Sequence, residues 1–186
     1  TLPRLDGFAD RIGHGFTILV NSGSWLVGCG SPSRSSYTSV MIELPWHHDR
    51  LLLTGDFPGF SANELFDHWT KPDLLAKFWP PVAHIDLRPG GYYRFEWPTQ
   101  DWYLHGHYLR VERGSRLEFD WTWNHELGKF TPLTVAMYFK AIEGGCRFTI
   151  EHYDFQEADL GSMEGISGGW THFGDRLRSL RVETVI

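Results

Sequence analysis

Hydrophobic positions near the end of the chain recur at alternating steps of three and four, the spacing of one face of an α-helix. The residues of this stripe are Met163, Ile166, Trp170, Phe173, Leu177 and Leu180. Polar residues occupy the opposite face, so the pattern predicts an amphipathic helix over about residues 159–183. Gly165, Gly168, Gly169 and Gly174 lie inside it, and each lowers helix propensity by about 1 kcal/mol relative to alanine. We therefore expect the helix to depend on tertiary packing.

From residue 82 the hydrophobic period changes to two, which is typical of half-buried strands. Several such segments follow one another through short turns, and an apolar segment at 50–57 predicts one more strand. Ser61 followed by Glu64 has the pattern of a capping box, and two short helices are predicted between residues 61 and 79. The pattern therefore predicts an α+β domain, in which a curved antiparallel sheet of about seven strands wraps around the long C-terminal helix.

Residues 1–40 differ in composition from the rest of the chain. They contain many Gly and Ser residues and lack a regular hydrophobic period, which is typical of loops or mobile segments. From Met41 onward the sequence has a clearer hydrophobic pattern. We therefore expect one domain over residues 41–186, preceded by an extension over residues 1–40 that is disordered or not native.

Charge and cysteine content narrow the classes of function. The formal net charge is −6 and no basic stripe is present, which argues against nucleic-acid binding. No apolar run is long enough to span a bilayer, so we expect no membrane insertion. The two cysteines, Cys29 and Cys146, form neither a disulfide framework nor a metal-binding motif and are typical of a reducing cytosol. We expect a cytoplasmic protein without a cofactor.

Aromatic residues make up 16% of the chain, and such side chains both fill cores and line ligand cavities. Strand alternation places many of them toward the helix, and the helix glycines favour a gap beside them. The residues expected to contact a ligand are Phe78, Trp79, Phe95, Trp97, Tyr103, His105, His107, Trp121, Trp123, Met137, Phe148, His152, Trp170 and Phe173. A filled aromatic core is the alternative interpretation of the same pattern.

Three histidines are the candidate residues for binding a metal ion or a polar group of a ligand. His105 and His107 are two residues apart, so a strand places both imidazoles on one face, together with Tyr103. Together with His152, they would offer three imidazoles that could bind zinc and leave a position for water. No acidic residue is placed in the sequence to orient them. We therefore expect these side chains to orient a polar group of a ligand, and we assign neither a metal site nor a catalytic residue.

Several segments, in this order, resemble the Bet v 1-like (START, SRPBCC) helix-grip superfamily, and within it the domain related to the activator of Hsp90 ATPase. They are FDHWTKPDLL at 66–75, FW at 78–79, DLRPGGYYRF at 86–95, LEFDWTW at 117–123 and GWTHFGDRL at 169–177. The resemblance covers about residues 48–183. It implies a curved antiparallel sheet that grips the long helix, with an apolar cavity between them.

The resemblance and the aromatic pattern lead us to expect binding of a small hydrophobic or amphipathic molecule in that cavity. Two alternatives stay open. Activator-like domains occur in Hsp90 co-chaperones, so a protein-interaction module with a protein partner, or a homodimer, is the second class. The superfamily also includes polyketide cyclases, so the third class is a cyclase- or hydratase-like enzyme that uses the histidines.

Overall fold

The computed structural model of the chain describes residues 41–43, 49–126, 132–157 and 162–182. The expectation for residues 1–40 lies outside the described residues, and the domain boundary at Met41 stays a prediction. The strands described are β1 Ile42–Glu43, β2 Arg50–Pro58, β3 Val82–Ile85, β4 Tyr92–Trp97, β5 Trp102–Glu112, β6 Arg116–Trp123, β7 Leu133–Ile142 and β8 Gly145–Tyr153. The helices described are α1 Ala62–Thr70, α2 Pro72–Leu75, a 3-10 turn at Asn124–Glu126 and α3 Met163–Val182.

The described strands form one antiparallel sheet in the order β1-β2-β8-β7-β6-β5-β4-β3. From β3 to β8 each strand pairs with the next one along the chain, and β2 pairs with β8. The predicted α+β fold, with a sheet of about seven strands, is confirmed by β2 to β8. The additional strand β1 lies at the edge of the sheet, and its two residues are too few to show a period in the sequence.

The predicted apolar stripe of α3 packs against the inner face of the sheet. Met163, Trp170 and Leu177 are buried, while the other members of the stripe, Ile166, Phe173 and Leu180, are partly buried against the same core. Each large side chain buried in this way contributes roughly 1.5–3 kcal/mol to the free energy of folding. The helix is thus held by tertiary packing, which confirms the helix-grip architecture.

The helix glycines differ in their surroundings. Gly165 and Gly168 are exposed, and a Cβ atom at either position would meet nothing within 4 Å. Gly174 is buried, and a Cβ atom there would lie 2.5 Å from Cγ of Met41. Met41 is itself only 3% exposed. The expectation that the glycines leave a gap toward the sheet is wrong at these three positions, because two face solvent and the third is covered by Met41.

The predicted capping box begins α1. The Ser61 hydroxyl accepts the backbone N–H of Glu64, and the Glu64 carboxylate accepts the backbone N–H of Ser61. Arg181, near the end of α3, donates to the same carboxylate at 2.6 Å. These hydrogen bonds, first of all the one from the Ser61 N–H, lower the pKa of Glu64 to about 2. Glu64 therefore links the start of α1 to the last turn of α3.

We expect Gly168→Ala to stabilise the protein by up to about 1 kcal/mol, because alanine at an exposed helix position lowers the entropy of the unfolded chain and meets no neighbour. Gly174→Ala should stabilise less or destabilise, because its methyl group displaces Met41. The free energy of unfolding in urea, followed by circular dichroism, measures both.

The control combines Gly174→Ala with Met41→Ala, which removes the contact. Measured against Met41→Ala alone, alanine at position 174 should then stabilise as it does at position 168. A greater stabilisation by Gly174→Ala than by Gly168→Ala in the otherwise unchanged chain would contradict the packing of Met41 on α3.

Candidate functional site

Trp79 lies at the centre of an aromatic cluster between the sheet and α3. The turn after α2 brings it there: its backbone N–H donates to the Leu75 carbonyl at 3.0 Å, and Pro80 follows. Its ring stacks on Trp121 of β6, with the ring centroids 5.9 Å apart. In the part of the chain that the structure describes, the other ring centroids within 6.4 Å of it belong to Trp69, Phe95, Trp97, Trp170 and Phe173. We call Trp69, Trp79, Trp121 and Trp170 the tryptophan cluster.

The aromatic surface continues from the tryptophan cluster to side chains that are half-buried. Trp79 and Trp121 are 6% and 8% exposed, whereas Trp97, Trp123 and Phe173 are more exposed and pack against the same core. The rings of Trp97 and Trp123 are 5.2 Å apart, and that of Trp97 lies 6.4 Å from Trp79. We call Trp97, Trp123 and Phe173 the aromatic rim. A continuous aromatic surface thus leads from solvent into the core.

His152 of β8 is a buried polar group in this region. It is 0% exposed, and its ring centroid lies 5.1 Å from that of Trp121 and 6.1 Å from that of Trp170. Nε1 of Trp170 donates to Nδ1 of His152 at 3.2 Å. Because an indole N–H can only donate, Nδ1 accepts, and the neutral imidazole carries its proton on Nε2. Nε2 has no hydrogen-bond partner among the described residues.

Burial keeps this imidazole uncharged. The cost of moving an imidazolium out of water lowers the pKa of His152 to about 3, so the ring is neutral at pH 7.

A second donor, Nε1 of Trp69, is also buried without a partner among the described residues. An unpartnered buried donor costs about 1–3 kcal/mol. The aromatic region therefore contains two N–H groups with unmet hydrogen bonds.

The structure places most of the predicted ligand-binding residues on the inner side of the sheet or on the helix that covers it. The residues of the cluster, the rim and their immediate neighbours are Trp79, Phe95, Trp97, Trp121, Trp123, His152, Trp170 and Phe173. Phe78, Met137 and Phe148 belong to the same core but are fully buried. These three side chains pack the interior and do not form accessible surface.

The prediction for Tyr103, His105 and His107 requires correction, because the structure places them on the outer face of the sheet. The residues of this part of β5 that face the core are Leu104, Gly106 and Tyr108. His152 faces inward from β8, on the other side of the sheet. The three imidazoles considered for zinc therefore do not meet in one site.

A β-bulge in β5 explains why alternate residues of this strand do not all lie on the same face of the sheet. The register of β5 with β6 shifts between Tyr108 and Arg110. After the bulge Val111 packs against the core, although Tyr103 and Leu109, which have the same parity, do not; Leu109 is 50% exposed. The sequence analysis placed Tyr103, His105 and His107 on the face of a regular strand that carries the ligand site, since a bulge leaves no mark in the hydrophobic period.

On the outer face these residues form a polar and aromatic surface. The Arg94 guanidinium lies 3.8 Å from the centre of the Tyr103 ring, and the rings of Tyr103 and His105 are 5.5 Å apart. The backbone N–H of His107 donates to Oδ1 of Asp120 at 3.0 Å. Burial lowers the pKa of His105. This surface is separated from the tryptophan cluster by the thickness of the sheet.

Trp69 is a site residue that the sequence analysis did not include. Its indole stacks on Phe148 with ring centroids 5.3 Å apart and lies 5.9 Å from the ring of Trp170. The local pattern of α1 shows an inward-facing tryptophan, but nothing in that pattern shows that α1 reaches α3. The contact depends on tertiary packing and has no local signal.

Within the described ranges, no three His, Cys, Asp or Glu side chains are placed to hold a metal ion. Cys146 is buried, and its burial raises the pKa of the thiol. Neither α3 nor any other described helix is long and apolar enough to cross a membrane.

A protein-family model described as "Activator of Hsp90 ATPase homolog 1-like protein" matches residues 60–181. The chain belongs to this family. The resemblance seen in the sequence is thereby confirmed over most of its length. Among curated proteins, none matches the sequence significantly.

Solved structures share the helix-grip fold. Protein MLL2253 from Mesorhizobium loti is 17% identical, with a TM-score of 0.66 over 74% of this chain and 99% of that one. Protein Ms6760 from Mycobacterium smegmatis is 21% identical, with a TM-score of 0.61 over 75% and 96%. DynU16, of the dynemicin biosynthetic locus, is 17% identical, with a TM-score of 0.62 over 72% of this chain and 47% of that one. At these identities the likeness shows the fold alone.

We expect the stability of this family member to fall as the pH drops below about 6.5. The unfolded chain binds a proton on His152 near that pH, whereas burial lowers the pKa of the folded protein's imidazole to about 3. Between these pH values protonation favours the unfolded state. The contribution of the neutral His152 side chain to the free energy of unfolding is therefore intact above pH 6.5 and is lost toward pH 3. Urea unfolding at a series of pH values measures the slope of the unfolding free energy against pH.

His152→Asn is the matched variant, because its side-chain oxygen can still accept from Trp170 while the amide does not titrate. The slope of unfolding free energy against pH should decrease in this variant between pH 6.5 and 4. An unchanged slope would show that other groups cause the acid sensitivity, and that His152 does not resist protonation.

Proposed function

We propose that this protein binds a small hydrophobic or amphipathic molecule between the sheet and α3, and that the aromatic rim forms the entrance. The observation that carries this proposal is the continuous aromatic surface from the half-exposed Trp97, Trp123 and Phe173 to the buried Trp79 and Trp121. Scattered exposed aromatic residues are ordinary on a protein surface, whereas a contiguous set beside a core is typical of a binding site.

The binding free energy that buried apolar surface can supply indicates how deeply a ligand must insert. Micromolar binding requires about 8 kcal/mol, and apolar surface removed from water contributes about 25 cal/mol per Å². A ligand must therefore bury on the order of 300 Å² of apolar surface, more than contact with one exposed ring face supplies. We infer that the ligand inserts past the rim and contacts Trp79 and Trp121.

Family membership and the shared helix-grip fold support a ligand-binding role. DynU16, a neighbour in fold, belongs to the dynemicin biosynthetic locus. The enzyme alternative was a cyclase- or hydratase-like catalyst that uses the histidines, and the positions of His105 and His107 on the face of the sheet opposite to His152 do not support a shared histidine site. The protein-interaction alternative is favoured by no particular surface of the described residues, so we propose the small-molecule function alone.

The test uses 2-ethylnaphthalene, an uncharged aromatic probe, titrated into the full chain while tryptophan fluorescence is recorded. We expect saturable quenching. Trp97→Ala and Phe173→Ala should each weaken binding about tenfold, because each removes roughly 1.5 kcal/mol or more of apolar contact. Both side chains are only partly buried, so circular dichroism should show that the fold is retained.

The controls are His105→Ala and His107→Ala on the outer face of the sheet, which should bind the probe as the unchanged protein does. Native mass spectrometry of the purified protein adds an independent readout, the mass of any molecule that it carries. Absence of saturable quenching, or equal loss of binding in the outer-face variants, would refute the proposed site.

A further inference from the structure

A cavity of about 500 Å³ lies where α1, α2 with the turn that follows it, and the last turns of α3 meet. Phe60, Leu74 and Leu180 form its apolar lining. Its volume is in the range of sites that hold small molecules. None of the described residues that line it belongs to the tryptophan cluster or to the aromatic rim. The cavity is therefore distinct from the site proposed above.

Three basic side chains line the same cavity: His68 of α1, Lys77 of the turn after α2 and Arg181 of α3. The ring of Phe60 holds two of them close together. The guanidinium carbon of Arg181 lies 4.6 Å from the centre of this ring, and the His68 ring meets it edge to face with centroids 5.2 Å apart. Bases from three segments of the chain thus surround one space.

The two carboxylates of the lining, Glu64 and Asp67, already have cationic partners. Glu64 accepts a hydrogen bond from Arg181 at 2.6 Å. Asp67 accepts from Lys71 at 2.8 Å and from Arg113 at 2.9 Å. Neither carboxylate therefore needs a cationic ligand to balance its charge.

The bases, in contrast, keep unused donors. The Lys77 ammonium forms no hydrogen bond or ion pair with the residues that the structure describes. Nε of Arg181 is buried and also lacks a partner in that part of the chain. Burial lowers the pKa of His68, and the positive charges of Arg181 and Lys77 lower it further. Since Glu64 balances Arg181, one positive charge in the cavity, that of Lys77, is left without a counter-ion.

We propose that this cavity is a second binding site and that it selects amphipathic carboxylates. The carboxylate lies between Lys77 and Arg181, and the hydrocarbon part of the ligand lies against Phe60, Leu74 and Leu180. A guanidinium offers several N–H donors in one plane, which suits the two oxygens of a carboxylate. One negative charge matches the one unbalanced ammonium. This inference is independent of the proposed function, because it concerns another space and another class of ligand.

The test compares hexanoate with 1-hexanol, which have the same chain length and differ in charge. NMR titration of the full chain at pH 7 should give a dissociation constant about tenfold lower for hexanoate, as expected for charge-assisted hydrogen bonds. The His68 ring is a local reporter, and its signal is identified by its absence in His68→Asn. Hexanoate should raise the pKa of His68, because the bound anion offsets the charges of Arg181 and Lys77. 1-Hexanol should not raise it.

Lys77→Gln removes the unbalanced charge at an exposed position, so the fold should be retained. Its affinity for hexanoate should fall about five- to tenfold, while its affinity for 1-hexanol stays the same. The pKa of His68 in the ligand-free variant should also rise, because one positive neighbour is gone. Lys140→Gln is the matched control: it makes the same change of charge at an exposed residue of β7 and should leave both affinities unchanged.

Two further comparisons define the site. Trp97→Ala, at the aromatic rim, should bind hexanoate as the unchanged protein does. Inorganic phosphate, an anion without a hydrocarbon part, should bind more weakly than hexanoate. Phosphate binding as tight as that of hexanoate would overturn the selection of amphipathic ligands.

Equal affinity for hexanoate and 1-hexanol, or a pKa of His68 that hexanoate does not raise, overturns this inference. Hexanoate binding that is lost in Trp97→Ala but kept in Lys77→Gln also overturns it, because the carboxylate then lies in the aromatic region. The proposed function stands in each of these cases, since 2-ethylnaphthalene tests it separately.

Discussion

The fold depends on the position of Trp170 between α3 and the sheet. Its indole contacts Trp69 of α1, Trp79 from the turn after α2 and Trp121 of β6, and it donates a hydrogen bond to His152 of β8. One side chain thereby joins the last helix to four other segments. Because α3 contains several glycines, its own propensity is weak, and the burial of this side chain holds it against the sheet.

The same packing explains why the core contains polar groups with unmet hydrogen bonds. Trp170 satisfies one nitrogen of His152, but the other nitrogen and the indole N–H of Trp69 lie buried without partners among the described residues. A core selected for stability alone would avoid this cost by using apolar side chains of similar size. Unmet donors beside a half-exposed aromatic rim are instead compatible with a region that a ligand completes.

Much of the fold could be predicted from local pattern. The alternation of β4, β6 and β8 correctly identified Phe95, Trp121 and His152 as inward-facing, and the spacing of Ser61 and Glu64 located the start of α1. The same alternation misplaced His105, because β5 contains a bulge, and its extra residue gives the two ends of the strand opposite parity. Part of the candidate site was therefore predicted, and its supposed polar residues were assigned to the wrong face.

The sequence by itself determined the features that depend on residues a few positions apart: the strand and helix periods, the helix cap, and the family. The tertiary structure alone decided which side of β5 faces the core, that Met41 covers Gly174, that Trp69 reaches Trp170, and that Nδ1 of His152 accepts a hydrogen bond from Trp170. These features depend on contacts between segments that are distant in the chain. No local pattern records such contacts, because they are set by packing after the elements have formed.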